Sequence, residues 1–220
     1  MSTFPLYAHP EKKETWNVPM SGDVRFTWEY DDHRAKLLAL YQKGKAKQWD
    51  AQKRIDWSQG IDRGNPLGMT AEQAPIFGSK TWDKISTDEK ALGEFSLHVT
   101  SWQFSQFLHG EQGAAICAAR ITESVPDLDS KFYAATQVMD EARHCEAYAK
   151  YLQEKVGLVY PINPHLKTLL DQTLSDSRWD MPYLGMQVLI EGVALAAFGL
   201  LRDMTTSPLA RQLLAYIMED

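Results

Sequence analysis

The chain has 220 residues, of which 44% are hydrophobic, and its formal net charge is −6 at pH 7. This composition is typical of a soluble globular protein with one large core. The basic residues are fewer than the acidic ones and are not concentrated in one stretch, which argues against a nucleic-acid-binding surface. Cys117 and Cys145 fall inside helical patterns and make no disulfide framework, so we expect buried thiols in a reducing cytoplasm.

The first thirty residues are polar, carry scattered aromatic side chains and show no clear period. We expect them to wrap around the outside of the protein. The opening stretch MSTFPLYAHPEKKE lacks the apolar segment of a secretory signal, which favours a cytoplasmic location. A first helix is predicted after a cap at Asp31 or Asp32. Residues 60–84 are rich in glycine and proline and are predicted to form a loop with short turns.

Further along, the sequence predicts long helices with short connections. A capping box, Ser86 to Glu89, opens a helix that continues to about Ser124 and is stopped by Pro126. The next helix stops at Gly157, and the last is still in progress at Asp220. Four helices are predicted after the first long one, at about residues 129–155, 164–174, 180–204 and 208–220. Because no strand pattern appears, we expect an all-α fold of antiparallel helices, truncated at its carboxyl end.

The segment from Met181 to Leu201 is long and apolar enough to span a bilayer, and its single charge, Glu191, lies at its centre. A carboxylate at the bilayer centre is costly, the flanks have no positive bias, and no second such stretch accompanies it. A helix that is apolar nearly all round is also typical of the middle of a helical bundle. We therefore expect a core helix and no membrane partner.

Ionisable residues on the apolar helix faces are the candidates for function, because long bundle helices bury those faces. Glu111 lies on the apolar face of the first long helix. Glu141 and His144 share the apolar face of the second, since residues three apart stack on one side of a helix. Glu191 lies on the apolar face of the third. Their apolar neighbours are Phe104, Phe107, Leu108, Ala114, Ala115 and Ala118, then Ala134, Val138 and Tyr148, then Leu184, Val188, Ala194, Leu195 and Phe198.

Three inward carboxylates and one imidazole predict a bound cation, because isolated charges in a core must be paired, neutralised or bound to metal. Carboxylate and imidazole ligands suit iron or manganese better than zinc. One Glu-x-x-His motif in a chain of this length is weak support by itself. Its position, 30 residues after Glu111, makes it a candidate half of a metal site.

An internal repeat supports this spacing. The segments EQGAAICAAR, from Glu111, and EGVALAAFGLLR, from Glu191, both follow a glutamate with small and apolar residues. An aspartate lies 29 residues after each glutamate, Asp140 in the first copy and Asp220 in the second. The first copy continues into the Glu-x-x-His motif, and the second stops before that point.

On these residues, the stretch from Ser86 to Asp220 resembles the ferritin-like di-iron carboxylate superfamily. The resemblance is to the branch with ribonucleotide reductase small subunits, acyl-carrier desaturases and di-iron oxygenases, and it rests on Glu111, the DEARH stretch ending at His144, and Glu191. It implies a ferritin-like antiparallel four-helix bundle core at residues 86–220. An amino-terminal extension, residues 1–85, would carry one helix and the glycine- and proline-rich loop. In that family a second Glu-x-x-His completes the site.

The resemblance implies that Glu111, Glu141 and His144 bind mainly one metal ion and that Glu191 helps to bind a second. The cofactor would be two iron ions or a mixed manganese and iron pair. The implied reaction is reductive activation of O₂ to oxidise a small organic substrate. An electron donor, such as a reductase or ferredoxin, and a homodimeric assembly belong to the same expectation. Asp140 is predicted to be the partner of the ligand histidine.

Other functions stay open at the level of sequence. Ferroxidase and iron-storage proteins of this fold manage with one Glu-x-x-His and single carboxylates elsewhere. A radical-generating subunit would need a large partner, with Tyr148 as a candidate radical, although an ordinary core tyrosine is the simpler interpretation. A metal-free bundle would pair the glutamates with Arg120 or Arg143. Small residues near the glutamates would either leave room for an organic molecule or pack helices closely: Gly113, Ala114, Ala115, Ala118, Gly192 and Ala194.

Overall fold

The computed structural model describes residues 16–74 and 77–220, and within these ranges the chain forms eight helices and no strand. The all-α prediction is confirmed, and the arrangement is compatible with a helical bundle. The helices are α1 (Ala35–Ala46), α2 (Ala51–Arg54), α3 (Lys80–Ile85), α4 (Glu89–Ser124), α5 (Leu128–Lys150), α6 (Pro164–Ser175), α7 (Asp180–Met204) and α8 (Pro208–Ile217).

The amino-terminal segment follows the outside of the helices from Trp16 onward. The Trp16 indole N–H donates to Asp171 at 2.9 Å, and the backbone N–H of Arg25 donates to the Glu123 carbonyl at 2.9 Å. The predicted wrapping is therefore confirmed for residues 16–30. The prediction that no secretory signal is present concerns residues 1–14, which lie outside the described ranges.

The first predicted helix start is wrong. α1 begins at Ala35 and has no local side-chain cap, so Asp31 and Asp32 do not cap it. The two residues that precede the helix donate their backbone N–H groups to the Asp129 carboxylate of α5, at 2.9 and 2.7 Å. A carboxylate distant in sequence thus holds the chain where it enters α1.

The predicted capping box at the start of the long helix is also wrong. Ser86 ends α3, and α4 is capped by Asp88, whose carboxylate accepts hydrogen bonds from the N–H groups of Lys90 (3.0 Å) and Ala91 (3.2 Å). Asp88 lies next to the helix start and so reaches the unpaired N–H groups of its first turn. Of the glycine- and proline-rich segment, residues 60–74 and 77–79 are loop as predicted, apart from a 3₁₀ turn at Ala71–Gln73, whereas residues 80–84 belong to α3.

The other helix boundaries agree with the sequence predictions to within a few residues. α4 ends at Ser124, and α5 continues through a π-helical turn, Tyr151–Val156. Gly157 then ends it with φ of +73°, in the left-handed region that favours glycine. α8 ends at Ile217, so the prediction that this helix is still in progress at Asp220 is wrong.

The antiparallel pair of α4 and α5 is the most extensive helix contact. It runs from the Lys131 ammonium, 2.8 Å from the Thr122 carbonyl near the connection, to the rings of Phe104 and Tyr151, 4.9 Å apart at the other end. α1 packs on α5, α6 on α4, and α8 on α7. The middle of the α4–α5 contact is therefore shielded from solvent by several neighbouring helices.

The two cysteines are free thiols, as predicted. Cys117 is fully buried in a cluster with Ala114, Ile121 and Leu170, and Cys145 is half-buried. Burial raises the pKa of both thiols to about 12. Burial thus favours the neutral thiol form of both residues.

α7 departs from the predicted core helix. By length and composition it is long and apolar enough to cross a membrane, yet only 17% of its most apolar window is buried. Val193 is 72% exposed and Leu200 is 62% exposed. The described residues cover one side of this helix and leave the other side free. An exposed apolar surface of this kind marks a contact surface for another protein or a membrane.

A π-helical stretch explains part of this difference. Within α7, the N–H of Glu191 bonds to the carbonyl of Met186, five residues back instead of four, across the segment Tyr183–Ile190. The extra residue in the turn rotates Leu184 and Val188 away from the face of Glu191, and both are exposed. The prediction that Leu184 and Val188 share the face of Glu191 assumed a regular α-helical period, and it is therefore wrong.

We expect Phe104→Ala to lower the free energy of unfolding by about 3–5 kcal/mol, because Phe104 is fully buried and packs against the rings of Phe107, Tyr148 and Tyr151. Urea denaturation followed by circular dichroism measures the change. Trp102→Ala, two residues away and 44% exposed, is the control and should cost less than about 1 kcal/mol. Equal losses for the two variants would contradict this core.

Candidate metal centre

Three of the four predicted ligands lie together at the middle of the α4–α5 contact. The Nδ1 atom of His144 lies 3.2 Å from Glu111 Oε2 and 3.2 Å from Glu141 Oε2. One ligand atom from each residue lies within 4.8 Å of the others, and all three side chains are buried. The described residues thus form a Glu, Glu, His group that could hold a metal ion.

The helix geometry brings these side chains together. Glu141 and His144 are three residues apart on α5 and so point to the same side. Glu111 faces them from α4, at a level fixed by the antiparallel pairing. Both helices place small or buried apolar residues next to the group, such as Ala114 and Ala147, each 0% exposed. Water is thereby kept from most of its surface.

The second ring nitrogen of His144 is held by Asp220. Its Nε2 atom lies 3.0 Å from Asp220 Oδ2, so an Nε2–H donor to this carboxylate would leave Nδ1, on the side of the two glutamates, to bind a metal ion once its own proton is lost. The sequence assigned this role to Asp140. Asp140 instead accepts hydrogen bonds from Arg143 and Gln48, both at 2.7 Å. The partner of the imidazole thus comes from beyond α8 and not from α5.

Arg143 joins the two aspartates of the internal repeat. Its Nη2 atom lies 2.7 Å from Asp140 Oδ1 and 2.7 Å from Asp220 Oδ2. The Trp49 indole N–H also donates to Asp220, at 3.0 Å, and the Trp49 ring lies under the guanidinium at 4.8 Å. Asp220 is therefore fixed by three donors, two of them neighbours on α5 and the third, Trp49, from the segment between α1 and α2. Asp140 and Asp220, which occupy equivalent positions of the repeat, thus pair with the same arginine.

Glu191, the fourth predicted ligand, lies outside the three-residue group but lines the same cavity. Burial raises the pKa of Glu191 to about 7, the negative charge of Glu141 adds to this, and His144 opposes it. The adjacent turn of α7 is tied to α5 by a hydrogen bond between the Gln137 and Gln187 side chains, at 2.7 Å. Glu191 is thus near enough to interact with the group electrostatically.

The same environment acts on the other ionisable groups. Burial raises the pKa of Glu141 to about 7; the hydrogen bond with His144 opposes this rise and the charge of Glu111 adds to it. For His144, burial alone would lower the pKa. Hydrogen bonds with Asp220, Glu111 and Glu141 outweigh burial and hold the pKa of His144 well above its usual value. The raised pKa of His144 thus follows from the three carboxylates that contact its ring.

The arginines that would support a metal-free bundle are engaged elsewhere. Arg143 pairs with Asp140 and Asp220, and Arg120 donates to the carbonyls of Ser21 and Asp176. Within residues 16–74 and 77–220, no lysine or arginine forms an ion pair with the glutamates of the group. The donor set and its negative charge therefore fit a divalent cation.

A polar cavity of about 390 Å³ opens onto the group. Its lining includes Glu111, Glu141, His144 and Glu191 at the interior. Lys43 and Lys47, both exposed, contribute side chains from the carboxyl end of α1. Ions and water thus have a route to the group from solvent.

Tyr148 lies one turn after His144 and is fully buried. Its ring packs against Phe104, Phe107 and Phe198, and its hydroxyl has no hydrogen-bond partner. Burial raises its pKa well above the usual value, and the nearby glutamates add to the rise. The side chain is thus a neutral core tyrosine next to the group.

The small residues near the glutamates serve two purposes. A Cβ atom at Gly113 would meet Leu170 Cδ2 at 2.5 Å, so this glycine lets α6 approach α4 closely. Ala114 and Ala118 are also fully packed. Ala194, in contrast, lines a cavity, and a Cβ atom at Gly192 would meet open space. Close packing is therefore confirmed on α4 but not on α7.

Comparison with known proteins does not place the chain in a family: no family model, curated protein sequence or solved structure matches it. The described residues form an all-helical fold with a buried group that could bind metal.

We expect Asp220→Ala to weaken Mn²⁺ binding about 10- to 100-fold, because the imidazole would lose the acceptor that fixes its orientation. Isothermal titration calorimetry of the metal-free protein measures the affinity. Asp203→Ala, which removes an exposed aspartate of α7, is the matched control and should leave it unchanged. An affinity within twofold of the wild type in Asp220→Ala would show that this contact does not orient a ligand.

We expect metal affinity to rise with pH between about 6 and 8. Glu141 and Glu191 have pKa values of about 7, and the pKa of His144 is also raised, so protons compete with the metal at low pH. Calorimetry in buffers of different ionisation enthalpy should detect proton release on binding at pH 6.5 and less release at pH 8.5. Binding without proton release at either pH would contradict the predicted protonation.

Proposed function

We propose that the chain is a non-haem iron oxidoreductase of the di-iron carboxylate type, which activates O₂ to oxidise a small organic substrate. The observation that carries the proposal is the buried group of Glu111, Glu141 and His144, which no lysine or arginine of the described residues neutralises. Two carboxylates and one imidazole are typical ligands of iron and manganese, and helix bundles use them for O₂ chemistry.

The residues present fit this cofactor. Glu111, Glu141 and His144 would hold the first ion, and Glu191, in the same cavity, would contribute to a second. Asp220 would keep His144 oriented. Either two iron ions or a manganese and iron pair would suit these donors. When bound, the metal supplies the electrons that reduce O₂.

The protein environment suits such a reaction. Burial of the group limits access of water and strengthens its electrostatic interactions. A monooxygenase reaction consumes one O₂, two electrons and two protons, places one oxygen atom in the substrate and releases the other as water. The protons can reach the group through the polar cavity. The electrons require a donor, such as a reductase or ferredoxin.

The proposal includes a cytoplasmic homodimer. The exposed apolar side chains of α7, such as Val193 and Leu200, offer a surface that a second copy would cover. Light scattering of the purified protein measures the mass, and a monomer at micromolar concentration would contradict this part of the proposal.

Ferroxidase activity is the second candidate. It is favoured by the single Glu-x-x-His motif, accompanied by the single carboxylates of Glu111 and Glu191. The two functions differ in their use of iron: a ferroxidase keeps oxidising added Fe²⁺ and forms ferric mineral. An oxygenase consumes O₂ repeatedly only when an electron donor and a substrate are supplied.

We expect the double variant Glu141→Ala, His144→Ala, made in iron-supplemented cells, to retain about a tenth or less of the wild-type iron and manganese. Mass spectrometry of the digested protein measures both metals. The surface double variant Glu146→Ala, His165→Ala removes the same residue types from exposed positions and should keep the wild-type content.

An oxygen electrode then separates the functions in the wild-type protein. The oxygenase predicts that Fe²⁺-loaded protein consumes a limited amount of O₂, in proportion to its bound iron. The ferroxidase predicts consumption that continues with each addition of Fe²⁺. Unchanged metal content in the Glu141, His144 double variant would rule out both functions at this site.

A further inference from the structure

A second cavity, of about 360 Å³, reaches the metal centre between α4, α6 and α7. It shares Glu111, Glu191 and Phe198 with the polar cavity, so the two cavities meet at the carboxylates. Its walls differ in character from those of the polar cavity. They are built mainly from Phe107, Leu166, Leu169, Leu189, Val193 and Ala197.

The second cavity offers a ligand no free polar group other than these carboxylates. Gln106 is the one neutral polar side chain in its lining. The Gln106 amide donates to the Pro161 carbonyl at 3.0 Å and accepts from the Asn163 N–H at 2.6 Å. Both ends of this amide are therefore occupied by backbone groups. No lysine, arginine or histidine lines the cavity among the described residues.

Phe198 separates the two cavities. It is 5% exposed and packs edge-on against Phe107, with 4.7 Å between the ring centres. On one side of this wall, Lys43, Lys47 and the carboxylates face water. On the other side, the apolar cavity opens along the exposed edge of α7. Charged and apolar molecules would thus approach the same centre by different routes.

We propose that the apolar cavity is the substrate site of the metal centre and that its substrate is an uncharged apolar molecule of one or two rings, or an equivalent chain. This inference rests on the proposed function. A cavity of about 150 Å³ lined by apolar side chains is enough for benzene, so 360 Å³ leaves room for a larger molecule. In the metal-free protein, an anion would have to be buried beside Glu111 and Glu191 without a positive partner, which is unfavourable.

Two glycines provide a matched pair of variants. A Cβ atom added at Gly110, which lines the apolar cavity, would meet open space, and the same is true at Gly192, which is exposed. Gly110→Leu therefore adds a side chain at a position in the cavity lining where Cβ has room, whereas Gly192→Leu adds the same side chain at a position outside that lining. Leucine is a better helix former than the glycine it replaces, so we expect both variants to fold.

The experiment uses toluene as the probe and Mn²⁺ as a paramagnetic reporter at the metal centre. In proton NMR, Mn²⁺-loaded protein should broaden the toluene signals, and Zn²⁺-loaded protein should not. We expect Gly110→Leu to weaken toluene binding at least tenfold and to abolish the broadening, with Mn²⁺ affinity unchanged. Gly192→Leu should behave as the wild type, and benzoate should bind the metal-free wild type at least tenfold more weakly than toluene.

Toluene binding that Gly110→Leu does not weaken, or tighter binding of benzoate, would overturn the assignment of this cavity. The proposed function fails by a different result, which is unchanged iron and manganese content in the Glu141→Ala, His144→Ala variant. The two failures are distinguishable, because toluene affinity can be measured in metal-free protein.

Discussion

The burial of two carboxylates beside one imidazole, where α4 and α5 face each other, is the constraint on which the rest of the structure depends. An uncompensated charge in a protein interior costs several kcal/mol, so each neighbouring element must either provide compensation or exclude water. α4 and α5 exclude water with small, fully packed residues such as Ala114 and Ala147. The compensation available from His144 is one positive charge at most, against the carboxylates of Glu111 and Glu141.

The distribution of the arginines shows how the charges are divided. Arg143 is buried two positions after Glu141 along α5, yet its guanidinium pairs with Asp140 and Asp220. Arg143 therefore compensates the outer pair of carboxylates only in part, and the inner pair has no positive partner other than His144. An ion pair between Arg143 and Glu111 or Glu141 would have occupied the inner group, and because Arg143 lies on the aspartates instead, the inner group could hold a metal ion.

Much of the fold and part of the site could be predicted from the sequence, because they depend on local patterns. Periodic apolar residues and stop residues such as Pro126 and Gly157 predicted the long helices, and the three-residue spacing placed Glu141 and His144 together. The rest depends on distant contacts or on irregular backbone. No local pattern indicates that Asp129 receives the start of α1, or that the π-helical stretch before Glu191 turns its neighbours outward.

The role of Asp220 shows a limit of a different kind. The repeat contains both Asp140 and Asp220. The sequence-based prediction made Asp140 the partner of His144, because Asp140 is the nearer of the two along the chain. The structure places the more distant one against the ring, because α8 returns to the side of α5 on which His144 lies. Asp140 keeps an indirect connection through Arg143. The repeat thus identified the pair of residues, and only the packing of α8 distinguishes their roles.

The contact between Asp220 and His144 joins positions 76 residues apart, and this has a consequence for how the chain becomes ordered. α4 and α5 are neighbours in sequence and can pair early, since local contacts form fastest. The imidazole, however, gains its fixed orientation only after α8 has docked. A cation that binds the oriented ring then favours the docked helix by the same free energy, because binding to one state stabilises that state. Metal binding would thus stabilise the docked position of the carboxyl-terminal helix, α8, on the other helices.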